Sequence, residues 1–225
     1  MARKKPTRKK NNKKKLAAAK KAAPSPARFY RRIGAEGWKK SDYFTYSSSS
    51  PAFRRWFATE LGGAPLRILS VGCGNGELES FLAAYGHRVV GIDLSHPMLR
   101  RAARNGLDHA VEADGRALPF AASSFDVVVF PESIGHVPLA EVFAEAKRVL
   151  KRLGLLLVTT YASPMGVHPQ YKKYRFSDLT PAAHAAGFVV EAQRFLAAKR
   201  NAVLDTSSDG RATLLYFKAR LATKA

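Results

Sequence analysis

Residues 66–77 read Leu66-Arg67-Ile68-Leu69-Ser70-Val71-Gly72-Cys73-Gly74-Asn75-Gly76-Glu77. A mainly apolar run enters a loop with glycine at three alternate positions, and a helical pattern leaves it. Leu78, Phe81, Leu82 and Tyr85 recur at i, i+3, i+4 and i+7, one face of a helix that Gly86 ends. Strand, glycine loop and helix together form the opening unit of an α/β sheet. Glycine lets a ligand approach the main chain, and such a loop aims backbone N–H groups at it from the carboxyl end of the strand.

The same alternation continues downstream. Residues 88–92 read as a second strand, and 96–105 as a helix that Ser95 can cap, with Pro97 in its first turn. A short third strand spans 110–113. The run 125–130 is apolar except for Asp126, as expected of a strand buried on both faces. An amphipathic helix over 139–150, a strand over 155–161 and a helix over 177–186 ended by Gly187 follow. The last two strands, 188–196 and 212–221, have no long helical segment between them, so they are expected to pair as an antiparallel hairpin. The expected fold is α/β, a doubly wound, seven-stranded, mostly parallel sheet with a C-terminal antiparallel hairpin. Ligands in such folds bind outside the carboxyl ends of the strands, at the switch point, where the three glycines lie.

Around this domain, assigned to residues 63–225, two flanks are expected. Residues 28–62 form a helical flank or lid, in which Ser47–Ser50 can cap a helix starting at Pro51. Residues 1–27 form a basic, disordered tail. The chain has 225 residues, 38 Lys and Arg against 17 Asp and Glu, and a formal charge of +21. Eleven of those basic residues fall within positions 1–21, with no acid among them. Like charges repel, and almost nothing apolar is present to offset the entropy of ordering. Such a tail attracts nucleic acid by counterion release, without reading sequence, or attracts an anionic surface. It lacks interleaved aromatics for base stacking.

The lone cysteine, Cys73, excludes an internal disulfide and a cysteine-based zinc site, and no metal is expected. No apolar run approaches the ~20 residues of a membrane span. A reducing compartment fits, cytoplasmic, or nuclear in a eukaryote.

The glycine spacing is G-x-G-x-G rather than the dinucleotide G-x-G-x-x-G. Glu77 stands where the third dinucleotide glycine would be, and its carboxylate would repel a pyrophosphate. A phosphate-free nucleoside with a cationic sulfonium tolerates it, which describes S-adenosylmethionine. Asp93 ends the second strand, placed to accept from both ribose hydroxyls. Asp114 follows the third strand and can accept from the adenine amino group, while Leu94, Met98 and Leu118 can sandwich the base.

Five pieces now carry a resemblance: LSVGCGNGE, VVGIDLSHPML, VEADGRALPFAASSFDVVVF, AEAKRVLKRLGLLLVTT and RFSDLTPAAHAAGFVVE. In this order and spacing they resemble the class I S-adenosylmethionine-dependent methyltransferases. The group is the ubiquinone-biosynthesis-like one, which mostly methylates small molecules. The resemblance implies a Rossmann-like fold, S-adenosyl-L-methionine as cofactor and in-line methyl transfer. It implies cofactor contacts at Ser70, Gly72, Gly74, Gly76, Asp93, Leu94, Met98, Asp114, Gly115 and Phe130. His136, after the fourth strand, is the candidate base, and Glu132 a second base or a contact to the methionine amine. Tyr43, Tyr161, His168 and Tyr171 are candidate substrate residues.

Two departures stand out. The family usually has Asp or Glu at the place of Ser70, where the carboxylate helps hold the methionine part, so a weaker or water-mediated contact is expected. The usual Gly-Gly before the fifth strand is Leu153-Gly154.

Cysteine-adduct methylation of pyrimidines is demoted because Cys73 lies in the cofactor loop. The Asn/Asp-Pro-Pro-Tyr/Phe motif common in methylation of exocyclic amines is absent from Phe130–His136. O-, N- or C-methylation of a small molecule is left as the leading expectation. The alternatives are an RNA or protein methyltransferase whose tail holds the polymer, and a noncatalytic cofactor-binding protein.

Overall fold

The computed structural model describes residues 25–36, 50–162, 171–198, 202–206 and 214–222. Two helices, α1 (Pro26–Glu36) and α2 (Pro51–Leu61), precede the alternating body. This body runs β1 (Arg67–Val71), α3 (Glu77–Ala84), β2 (Arg88–Asp93), α4 (His96–Arg104), β3 (Ala110–Glu112) and β4 (Phe125–Pro131). A 3₁₀ turn (Ile134–His136), α5 (Leu139–Val149), β5 (Leu150–Tyr161) and α6 (Phe176–Ala186) follow. The described chain closes with β6 (Phe188–Ala198), β7 (Val203–Thr206) and β8 (Leu214–Leu221). The expected basic tail falls almost wholly outside the described residues.

Local chemistry sets the helix starts. Ser50 caps α2 by accepting from Phe53 N at 3.4 Å, and Pro51 takes the first helical position, where its missing N–H is no loss. Ser95 caps α4 in the same way, accepting from Met98 N at 3.4 Å.

The strand order is β3-β2-β1-β4-β5-β8-β6-β7, eight strands among the described residues where seven were expected. The added one is β7, paired antiparallel with the end of β6 from Phe195↔Thr206 to Ala198↔Val203. Four residues that include an Asp carry too little alternation to announce an edge strand. The first five strands in the order are parallel neighbours, while β8 lies antiparallel between β5 and β6. The strand β5 starts at Leu150, earlier than expected. It passes through Leu153 at φ +60°, a left-handed conformation that side chains resist.

Central strands bury both faces, with a period of two. Leu69, Val128, Phe130, Leu156 and Val158 point to one core with Val142, Phe143 and Ala146 of α5 and Leu179 and Ala183 of α6. Ile68, Val127, Val129 and Leu157 point to the other, against Phe53 and Phe57 of α2, Leu78 and Leu82 of α3 and Leu99 and Ala102 of α4. Helix α1 seats on α4 through Gly34. A Cβ there would meet Met98 N at 2.6 Å, and Arg101 Nε donates to the Gly34 carbonyl at 2.5 Å.

Candidate active site

The sheet order reverses between β1 and β4, and a cavity of about 330 Å³ opens at their carboxyl ends. The glycine loop forms one wall. Gly72, Gly74 and Gly76 have φ of +77°, +55° and +72°. At Gly72 a Cβ would stand 2.3 Å from Ser133 Cβ, so glycine here lets the loop after β1 touch the loop after β4. At Gly76 it would stand 2.7 Å from Ala102 Cβ, so this glycine lets the start of α3 lie on α4. The amides of Gly72 and Cys73 donate to the Ile92 carbonyl at 2.8 and 2.9 Å, and Gly74 N donates to Asp93 Oδ2 at 3.0 Å. Ser95 N donates to Asp93 Oδ1 at 2.8 Å, which fixes the carboxylate at the end of β2.

The cavity is acidic inside a basic protein. Glu77, Glu79, Asp93, Asp114 and Glu132 line it, and no Lys or Arg is among its described lining residues. Two of the five are neutralised from outside: Arg54 Nη1 lies 3.0 Å from Glu77 Oε2, and Arg116 grips Asp114, its Nη2 2.6 Å from Oδ2. The Arg116 hydrogen bonds hold Asp114 below the ordinary carboxylate range. Burial pushes the other way deeper in. It raises Asp93, against the pull of the Ser95 and Gly74 amides, and it raises the Cys73 thiol well above its usual value. Burial lifts Glu79 to about 7, while its hydrogen bond from Ser70 pulls it down and Asp93 and Glu132 push it further up. A cationic ligand suits such a cavity, and a pyrophosphate does not.

The opposite wall is aromatic. Pro26, Ala27 and Tyr30 of α1 reach the cavity, and Tyr30 Oη lies 3.1 Å from His136 Nε2. The His136 ring also packs edge-on against Tyr171, with centroids 4.9 Å apart. Gly135 makes room for that packing, since a Cβ there would stand 2.4 Å from the Tyr171 ring. Lys172 N donates to the Gly135 carbonyl at 2.7 Å, so the segment after β5 pins the turn that carries His136. Tyr161 Oη donates to Glu132 Oε2 at 3.0 Å across the floor.

Of the residues expected at the site, Gly72, Gly74, Asp93, Leu94, Met98, Asp114, Gly115, Phe130, His136 and Tyr161 line the cavity, as does Glu132. Ser70, Gly76, Leu118 and Tyr171 lie behind its lining. Ser70 is fully buried and donates to Glu79 Oε1 at 2.5 Å, while Tyr171 Oη lies 2.8 Å from Thr160 Oγ1. Tyr43 and His168 lie outside the described residues. Sequence reasoning did not single out Glu79 or the cavity contact of Tyr30. The signal for Glu79 was Ser70 itself, because a hydroxyl in a strand buried on both faces must find a polar partner.

Residues 69–158 match the family described as methyltransferase domain. The ubiquinone biosynthesis O-methyltransferase of Bordetella parapertussis is 33% identical over 117 residues, which cover 48% of this chain and 48% of that protein. The enzyme of the same name from Hahella chejuensis is 41% identical over 92 residues, covering 38% of this chain and 39% of that protein. The chain thus spans about half or less of the length of these relatives. Geranyl diphosphate C-methyltransferase from Streptomyces coelicolor A3(2) was solved with Mg2+, geranyl diphosphate and S-adenosyl-L-homocysteine. It shares the fold, with a TM-score of 0.67 at 16% identity over 88% of this chain and 99% of that one.

Proposed function

We propose that this chain, which carries a class I S-adenosylmethionine-dependent methyltransferase domain, transfers the activated methyl group to a small acceptor molecule. The observation that carries this reading is the charge of the cavity, where carboxylates gather at the switch point and no Lys or Arg is among the described lining residues. The chemistry the cofactor supplies when bound is a methyl group on positively charged sulfur, open to in-line attack. The chain's own contribution is alignment, an effective-concentration effect worth ~7–11 kcal/mol.

In this reading Asp93 receives the ribose hydroxyls, its carboxylate already oriented by the Gly74 and Ser95 amides. Leu94 and Met98 flank the base, with Asp114 and Gly115 at its edge. Phe130 and the glycine loop confine the amino-acid end. His136 Nε2 takes the proton of a protic acceptor through the hydroxyl of Tyr30, from α1, whose Oη lies 3.1 Å away: Tyr30 passes its own proton to Nε2 and receives the acceptor's. Tyr161 and Glu132 border the acceptor side. O-methylation is the favoured chemistry, by likeness to the two relatives named for it. Attachment of residues 1–21 to a polyanion is a separate proposal that rests on their charge alone. Among the described residues, no helix is long and apolar enough to cross a membrane.

The test is methyl transfer from labelled S-adenosylmethionine into a cell extract fractionated into small molecules, RNA and protein. Label in the small-molecule fraction, lost with Asp93→Ala, is the expected result. Label confined to RNA or protein would overturn the small-acceptor reading.

A further inference from the structure

At the centre of the sheet, β1 turns a hydroxyl where an apolar side chain would pack. Ser70 pairs in register with Gly91 and Val129 and is fully buried. Its Oγ donates to Glu79 Oε1 at 2.5 Å, and Glu79, from the first turn of α3, is only 1% exposed yet lines the cavity. Among the described residues no basic side chain forms an ion pair with Glu79. The charged groups facing it are acidic: Asp93 from the end of β2 and Glu132 from the loop after β4. The Cys73 thiol of the glycine loop faces it too and feels its charge. A buried carboxylate among others needs a counter-charge or a proton.

Resting on the reading proposed above, we infer that Glu79 is the ammonium anchor of this cavity. It is a carboxylate delivered from α3, oriented by the Ser70 hydroxyl, that pairs with the amino group at the cofactor's methionine end.

Its neighbours are already committed. In the proposed reading Asp93, oriented by two backbone amides, takes the ribose hydroxyls, and Glu132, held by Tyr161, borders the acceptor side. Ser70 occupies Glu79 Oε1, and a carboxylate has capacity for further donors. A sulfonium has no N–H to offer, and a ribose hydroxyl brings no positive charge. An ammonium brings both. The burial that lifts Glu79 to about 7 gives the pairing a consequence. Near neutrality Glu79 holds a proton about half the time without ligand, and an ammonium displaces it to the buffer, so binding releases about half a proton at pH 7.

Calorimetry on the full chain tests this with S-adenosylhomocysteine, which keeps the amino-acid end, and 5′-methylthioadenosine, which lacks it. Titrations at pH 7 in phosphate and in Tris separate proton release from the heat of binding. S-adenosylhomocysteine is expected to release about half a proton, and 5′-methylthioadenosine none. Glu79→Gln keeps an acceptor for Ser70 but loses the charge. It is expected to weaken S-adenosylhomocysteine about 10- to 100-fold, abolish proton release, and leave 5′-methylthioadenosine within about two-fold. Unchanged affinity in Glu79→Gln, or equal proton release with both ligands, overturns the anchor. A wild-type chain that binds neither ligand overturns the cofactor reading, and the anchor with it. Should Glu79→Gln not fold, the two-ligand comparison on the wild type decides alone.

Discussion

Gly72 and Gly74 sit two residues apart in one loop, both with positive φ, yet alanine should act very differently at the two. At Gly74 a Cβ meets nothing within 4 Å, so Gly74→Ala carries only the left-handed backbone penalty, ~1–2 kcal/mol. Gly72→Ala carries that penalty too, at φ +77°, and adds a collision 2.3 Å from Ser133 Cβ. That atom is one bond from the main chain and cannot swing aside, so the loop after β4 must move, at ~1–3 kcal/mol. The move also endangers the Ser133 hydroxyl bond to the Val71 carbonyl, 2.5 Å long, worth ~0.5–1.5 kcal/mol. The expected loss for Gly72→Ala is therefore about 3–5 kcal/mol, against about 1–2 for Gly74→Ala. Urea unfolding of the full chain measures both. Ser133→Gly removes the colliding atom, so Gly72→Ala should cost ~1–3 kcal/mol less in that background than alone. Equal losses for the two alanines within about 0.5 kcal/mol, or no coupling to Ser133, would refute the contact between the two loops.

Three further outcomes are expected. Tyr30→Phe removes the phenol at His136 Nε2 and should lower kcat about five-fold with KM for S-adenosylmethionine unchanged; an unchanged kcat in steady-state kinetics would remove Tyr30 from the acceptor side. Without ligand, the chain should lose about 3 kcal/mol of stability between pH 4.5 and 7 because of Glu79. Below pH 4.5 both folded and unfolded chains hold the Glu79 proton, and between 4.5 and about 7 only the folded one does, so stability falls as pH rises. Glu79→Gln should flatten that part of a pH series of urea midpoints, and an identical slope would show that Glu79 does not titrate there. Leu153→Gly should raise stability by about 0.5–1 kcal/mol, because Leu153 holds φ +60° while 41% exposed; a loss in thermal unfolding would show that its packing outweighs its backbone strain.

What the sequence disclosed follows from what repeats. The parallel strands and the helices between them are legible because burial on both faces leaves unbroken apolar runs, and because α3, α4 and α5 each show a helical period. Asp93 was legible because it ends a strand beside the glycine loop. β7 was not, since a four-residue edge strand needs only a partner's backbone, not a pattern of its own. Tyr30 was not either, because its place at the cavity depends on Gly34 letting α1 settle on α4, a long-range contact with no local mark.

Glu79 marks the boundary between the two kinds of information. In sequence it reads as an ordinary acid in the first turn of a helix, beside Glu77, where negative charge is favoured anyway. Glu77 fits that reading: it is partly exposed and answered by Arg54. Glu79, two residues on, is rotated inward onto Ser70. The strand position lacks a carboxylate, but the space beneath the loop does not, because α3 provides one from the other side. The net charge of +21 suggests anionic partners, yet the inner cavity presents Glu79, Asp93 and Glu132 to whatever enters. A polyanion drawn to the basic surface would be repelled at the carboxylates, so the surface charge and the cavity charge select different molecules. In the proposed reading the methyl donor meets the second selection, because it carries both a sulfonium and an ammonium.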